Sequence, residues 1–232
     1  MKYLIVNADD FGASRGINRG ILEAHLRGIL TSTSLLVNTA WSEEAAALSR
    51  AAPALSVGLH VDLRDELKDA NVPFGQRLRE TLEEQFRRFE EMIGHPPTHL
   101  DSHHNVHRDP RALPHFLDLA QQHDLPLREH SPVRYFPKFY GRWGGEAHFE
   151  QISVESLTRM LEREIAEGIT ELSCHPGYID PDYSTGYCAE REAELRTLCE
   201  PLIRRVLAEQ GIDLISYREM AAVLAKENTV AT

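Results

Sequence analysis

Short apolar runs alternate with amphipathic stretches along nearly the whole chain, and several of the runs end on an ionisable side chain. This alternation restricts the fold more than any other feature, because β-then-α order sets consecutive strands parallel and covers the sheet with crossover helices. "YLIV" (Tyr3 to Val6) has the continuous apolar, partly β-branched character of a strand buried on both faces. "INRGILEAHLRG" follows with helical spacing through Ile17, Ile21, Leu22 and His25, closed by Gly28. "TSTSLLVN", "LSVGLH", "THLD", "LPLRE", "ITELSCH" and "DLIS" read as further strands. Between them the spacing predicts a helix through "WSEEAAALSRAA" with Ser42 as candidate N-cap, and a second over 74–93 on Leu78, Leu82, Phe86, Phe89 and Ile93. Others fall near 109–122, 154–168 and 217–226, with one long helix over 188–210. The Gly- and aromatic-rich stretch 131–149 reads as irregular.

Seven such runs imply a parallel α/β sheet, doubly wound or closed as a barrel. Barrels carry chemistry at the carboxyl ends of several strands. Asp9 with Asp10, His60, Asp101 with His103, and His175 each stand at the end of a predicted strand, so separate strands aim polar groups at one rim. "NADDFGASRG" is not the Gly-rich phosphate loop that a doubly wound sheet would usually carry. No internal repeat or linker divides the sequence. The expected architecture is a single-domain, TIM-barrel-like (β/α) barrel over 1–232.

Composition narrows the partners. With 36 acidic and 25 basic residues the formal charge is −11, which argues against nucleic acid or an anionic membrane and leaves a neutral or cationic substrate. Cys174, Cys188 and Cys199 are odd in number and lack zinc-finger spacing, so a reducing compartment is expected. The apolar run at the N-terminus is too short for a signal core or a membrane span. A cytoplasmic location follows as an expectation.

Each candidate group also has a plain structural reading. Asp9 and Asp10 would point to opposite faces of a continuing strand, so both serve one site only where the strand turns, as Gly12 suggests; otherwise they cap a turn with Ser14. His60 in "VGLHVDL" is a hydrogen-bonded core histidine or a ligand. In "DSHHNVH", His103 lies two residues from Asp101, and a carboxylate there can orient a neighbouring imidazole. A helical turn would instead pair His103 with His107 at i, i+4. Pro110 disfavours a long helix, so His103 ranks above His107 and His104. "SCHPGY" presents His175 on a rigid turn, while Cys174 reads as a buried thiol, and Asp180 and Asp182 as loop caps. One carboxylate and two imidazoles form a three-ligand set with open coordination positions, which is characteristic of a catalytic metal centre. Asp9 as base and His175 as acid would complete a hydrolase.

"LIVNADDFG", "NRGILEAHLRGILTSTSLLVN", "VGLHVDL", "PTHLDSHHNVH", "FYG" at Phe139 to Gly141, "CHPGY" and "SYREM" together resemble the YdjC-like carbohydrate deacetylases, in order from Tyr3 to Met220. The resemblance implies a (β/α)-barrel-like fold, a divalent cation and removal of an N-acetyl group from an amino sugar. It makes Asp10, His60 and His103 the metal ligands, Asp9 the base and His175 the acid, with the division of roles between Asp9 and Asp10 left open. The cation would be Mg or Zn, with Mn, Co and Ni also compatible with the mixed donors. The segment "VDLRDELKDANVPFGQRL" is short for the family, which implies a reduced rim or one borrowed from another subunit, and Asn105 departs from the family's His or Gln. Tyr135, Phe136, Phe139, Tyr140 and Trp143, interleaved with Arg134, Lys138 and Arg142, form a sugar-stacking rim, core packing or a subunit contact; a homodimer fits the last.

Two other readings use the same residues. A barrel phosphoesterase would need two metals and basic phosphate clamps, and Arg15, Arg19 and Arg108 read as the only basic residues near the motifs, which places it well behind. A catalytically silent metal- or sugar-binding protein would keep the ligands without needing Asp9 or His175.

Overall fold

The computed structural model describes residues 1–63, 74–181, 183 and 186–230. The chain opens with β1 (Lys2–Phe11), α1 (Arg15–Arg27), β2 (Ser32–Leu35), α2 (Ser42–Ala51), β3 (Ser56–Val61), α3 (Phe74–Ile93), β4 (Leu100–Ser102) and α4 (Leu113–Gln122). It continues with β5 (Arg134–Phe136), a β6 (Arg142–Trp143) and β7 (Glu146–Ala147) hairpin, α5 (Val154–Arg163) and β8 (Gly168–Cys174). The rest is α6 (Ala189–Leu198), α7 (Pro201–Glu209), β9 (Ile212–Leu214) and α8 (Met220–Val230).

Among the described residues seven strands form one parallel sheet in the order β4-β3-β2-β1-β8-β5, with β9 also on β1. The sheet curls because one stretch of chain meets both of its edges. Leu127 bridges Leu100 of β4, and β5 a few residues later lies against β8. The expected barrel-like α/β architecture is therefore observed as an incompletely closed barrel of parallel strands. Leu4, Ile5, Val6, Ala8 and Phe11 of β1 are fully buried, as the apolar run predicts for a central strand.

Three local expectations are corrected. The long helix over 188–210 is two helices, because Pro201 has no N–H to donate and holds Glu200 in an extended conformation (φ −71°, ψ 123°). Ser42 does not cap α2: Trp41 occupies the N-cap, and the Ser42 hydroxyl donates to the Leu36 carbonyl at 2.6 Å. "LPLRE" forms an isolated bridge at Leu127, and the strand lies instead in the stretch read as irregular. Other signals match. Ser14 caps α1 by accepting from Ile17 N–H, Gly28 closes that helix, and the five apolar positions of α3 are buried. The shortened rim segment lies largely outside the described residues.

Candidate functional site

The parallel sheet sends the ends of β1, β3, β4 and β8 to one rim, and the polar residues read from the sequence gather there around a cavity of about 640 Å³. Asp9 and Asp10 reach the same side because β1 does not continue as a regular strand. Asp10 has φ +69°, a left-handed conformation that costs on the order of 1 kcal/mol for a non-glycine residue. The pairing of β1 with β2 slips between Ala8 and Phe11 at the same place. Gly12 (φ +94°) completes the reversal, and a Cβ there would stand 2.7 Å from the Leu36 carbonyl oxygen.

His60 sits directly opposite Asp101 in the β3–β4 ladder, and its Nδ1 is 2.7 Å from Asp101 Oδ1. That contact turns Nε2 towards Asp10 Oδ1, 3.5 Å away. Ser102 ends β4, and a kinked 3-10 segment, His103–Arg108, begins with His103 Nδ1 at 3.0 Å from the same Asp10 oxygen. Ligand atoms of Asp10, His60 and His103 all lie within 4.8 Å of one another. A carboxylate oxygen and two imidazole nitrogens at this spacing fit a divalent cation, and Asp101 stands where an outer carboxylate would orient a ligating histidine. The sequence pattern left open which imidazole Asp101 would orient; it orients His60.

The i, i+4 alternative for His107 does not form. His104 and Asn105 have φ of +55° and +53°, which reverses the chain and sends His107 into the core. There its Nδ1 is 2.6 Å from Ser102 Oγ and its Nε2 faces Glu129 at 3.4 Å. His104 and Asn105 line the cavity instead.

Each aspartate has its own guanidinium. Arg128 Nη1 donates to Asp9 Oδ2 at 2.9 Å and Nη2 to Asp9 Oδ1 at 2.7 Å, while Arg191 Nη2 donates to Asp10 Oδ2 at 2.5 Å. Burial alone would raise the pKa of Asp9, but Arg128 outweighs it and holds the carboxyl below the usual range. Burial likewise opposes ionisation of Asp10, and Arg191 with the His103 and His60 contacts overcomes it, leaving Asp10 well below that range. For His60, burial is outweighed by Asp101 and Asp10, and its pKa rises to about 10.

His175 follows β8 and points its Nε2 at Asp9 Oδ2, 3.9 Å away. Burial pushes its pKa down to about 4 against the pull of Asp9 and Asp10, so the ring is neutral near pH 7. Its Nδ1 is buried without a hydrogen-bond partner among the described residues, and Tyr140 and Tyr187 stack on each other beside it. Cys174 is buried, its thiol pushed well up by desolvation, with Sγ bonded to the Asn7 carbonyl. Asp180 accepts from the Gly16 amide at 3.0 Å, as a loop cap should, and Asp182 lies outside the described residues.

The aromatic stretch divides. Phe136 and Phe139 are core residues, Tyr135 and Tyr140 line the cavity with Arg142, and Trp143 is exposed and stacked on His148.

Arg128, Arg191, Glu171 and Glu194 were not singled out from the sequence, and naming Arg15, Arg19 and Arg108 as the nearby basic residues is corrected by the two guanidiniums at the centre. Arg128 is 1% exposed. It lies between Asp9, Asp101 and Glu171, with Nη2 at 2.7, 2.8 and 2.6 Å from their oxygens. A second trio, Asp9, His60 and Asp101, also has metal-ligand spacing, but the Arg128 guanidinium already bonds both of its carboxylates. A signal for Arg128 was an arginine placed directly after the apolar "LPL". For Arg191 and Glu194 it was the lack of an apolar stripe on "AEREAELRTL".

The match to known proteins is extensive. The model of the family described as YdjC-like protein matches residues 3–209. A carbohydrate deacetylase of Geobacillus stearothermophilus is 37% identical, the match covering 94% of this chain and 98% of that protein. A chitooligosaccharide deacetylase of Yersinia pestis (strain Pestoides F) is 35% identical, with 93% and 98% covered. Among solved structures, a candidate cellobiose-phosphate cleavage protein of Enterococcus faecalis V583 superposes with a TM-score of 0.81 at 29% identity, covering 94% of this chain and 98% of that one. A family 4 carbohydrate esterase of Streptomyces lividans, solved with acetate, shares the fold at a TM-score of 0.57 and 13% identity, with 94% and 95% covered.

Proposed function

This chain belongs to the YdjC-like protein family, and on that premise we propose that it is a carbohydrate N-deacetylase, a hydrolase that cleaves the amide of an acetylated amino sugar or short glycan. The observation that carries the reading is the convergence of Asp10, His60 and His103 at metal-ligand spacing, with Asp9 and His175 facing each other across 3.9 Å beside them.

Asp10, His60 and His103 would hold one divalent cation, with Mg or Zn as first choices for this donor set. When bound, the cation would supply Lewis acidity that polarises the amide carbonyl and lowers the pKa of water to about 7. Asp9 Oδ2 accepts the proton of the attacking water. The two Arg128 bonds and the Asn7 Nδ2 contact at 3.1 Å fix its orientation and keep it ionised. His175, neutral at rest, receives a proton at Nε2 from Asp9 and delivers it to the sugar nitrogen as the C–N bond breaks, releasing acetate and a free amine. Tyr140 and Tyr187, parallel at 4.8 Å, wall the cavity beside His175 and offer an aromatic surface to a sugar ring.

The phosphoesterase reading loses support from the same geometry. Arg128 and Arg191 are spent on carboxylates, and Arg128 fills the place of a second metal. Among the described residues no helix is long and apolar enough to cross a membrane. The proposal includes one YdjC-like deacetylase domain over 1–232, a cytoplasmic setting and assembly as a homodimer, the last checked by analytical ultracentrifugation. The activity is tested by acetate release from N-acetylated mono- and oligosaccharides in the presence of each divalent ion. Release that depends on the ion supports the reading, and none from any of these sugars refutes it.

A further inference from the structure

Helix α6 buries three ionisable side chains, Glu190, Arg191 and Glu194, of which the account so far uses only the contact of Arg191 with Asp10. Their spacing makes them neighbours on one side of the helix. Buried ions destabilise a fold unless each finds a partner, and well-packed apolar residues often serve stability as well or better. All three have partners here, and the partners are walls of the site.

Arg191 reaches three of them. Nη2 donates to Asp10 Oδ2 at 2.5 Å, Nη1 to the His175 carbonyl at 3.3 Å and Nε to the Tyr187 carbonyl at 3.1 Å. Glu194 accepts the His175 amide N–H on one oxygen and the Tyr187 hydroxyl on the other. That hydroxyl in turn accepts from the Gly141 amide at 2.8 Å. Glu190 accepts from Arg142 Nη1 at 2.8 Å. Both backbone polar groups of His175 are thus tied to a single helical turn, and the same turn takes the outer oxygen of Asp10.

We propose that Arg191 and Glu194 are positioning residues that fix the His175 ring relative to the Asp10 carboxylate, and that Arg191 keeps Asp10 Oδ2 occupied so that Oδ1 faces His60 and His103. The effect on rate rests on the deacetylase reading; the effect on ring position does not. A misplacement of about 1 Å at a reacting group costs about 10²-fold in rate, so a clamp on both backbone polar groups of one residue has a function beyond packing.

The test uses the full chain with Arg191→Lys, Arg191→Gln and Glu194→Gln. Measured are kcat and KM for acetate release, zinc affinity by calorimetry, thermal unfolding, and the imidazole NMR resonances of His175 and His107. Arg191→Gln removes the charge facing Asp10 Oδ2 and is the variant most exposed to misfolding; the two closer replacements keep the test decisive. Expected for Arg191→Lys and Glu194→Gln is a kcat lower by about 10-fold to 10²-fold with KM within about threefold, and His175 resonances that move while those of His107 stay. The proposal is overturned if His175 resonances and kcat match the parent in every folded variant, or if kcat falls only with the folded fraction. Should the parent release no acetate from any acetylated amino sugar, the functional reading fails. The His175 resonances then decide the proposal by themselves: movement in the two closer variants supports it, and none refutes it.

Discussion

Arg128 meets Asp9 through two parallel hydrogen bonds, 2.9 Å from Nη1 to Oδ2 and 2.7 Å from Nη2 to Oδ1, with the guanidinium buried beneath the cavity wall that Asp9 forms. The same guanidinium bonds Asp101 and Glu171, so one cation serves three buried carboxylates. Arg128→Met removes it and leaves that charge unpaired. The account predicts a loss of about 3–5 kcal/mol in urea unfolding, together with loss of acetate release.

Asp9→Asn separates binding from chemistry. Asp9 lies outside the proposed ligand trio, so zinc affinity measured by calorimetry should stay within about threefold while kcat falls by about 10²- to 10⁴-fold. Activity that survives this change would remove Asp9 from its role as base.

The two histidines His103 and His107 should respond in opposite ways. His103→Ala should weaken zinc binding severely and leave unfolding nearly unchanged, because His103 is partly exposed and faces Asp10. His107→Ala should retain zinc and lose on the order of 1–3 kcal/mol, because it empties a buried position beside Ser102 and Phe116. Calorimetry and urea unfolding of the pair read the difference.

Glu194 sets an alkaline limit on stability. Burial pushes its pKa up to about 8 from 4.5, against the Tyr187 and His175 donors. A raised carboxyl binds its proton more tightly folded than unfolded, so its contribution is fully present below pH 4.5 and is lost as pH rises through 8. The slope in this window reaches about 1.4 kcal/mol per pH unit. Urea unfolding between pH 5 and 9 should show this decline, and Glu194→Gln should flatten it.

Much of the architecture is legible in the sequence for simple reasons. Parallel strands buried on both faces must be apolar runs, and their carboxyl ends must share a rim, so Asp9, Asp10, His60, His103 and His175 could be expected together before any coordinates. The identity of the outer partners was not legible. Arg128 arrives on a segment that forms an isolated bridge, and Arg191 and Glu194 arrive on a helix with no apolar stripe. In both places burial is decided by partners outside the element itself, which local periodicity does not encode. The choice between His103 and His107 depended on left-handed φ values at His104 and Asn105, and side-chain spacing says nothing about those. Pro201 carried a readable signal, a helix break, that the run of helix-forming residues around it obscured.

The most direct measurement is anomalous diffraction at the zinc absorption edge from crystals of the chain grown with millimolar zinc. The account predicts one strong peak at bonding distance from Asp10, His60 and His103, with Asp9 and His175 flanking it but outside the coordination sphere. No peak at that trio, or an ion held by other residues with the trio empty, would contradict it.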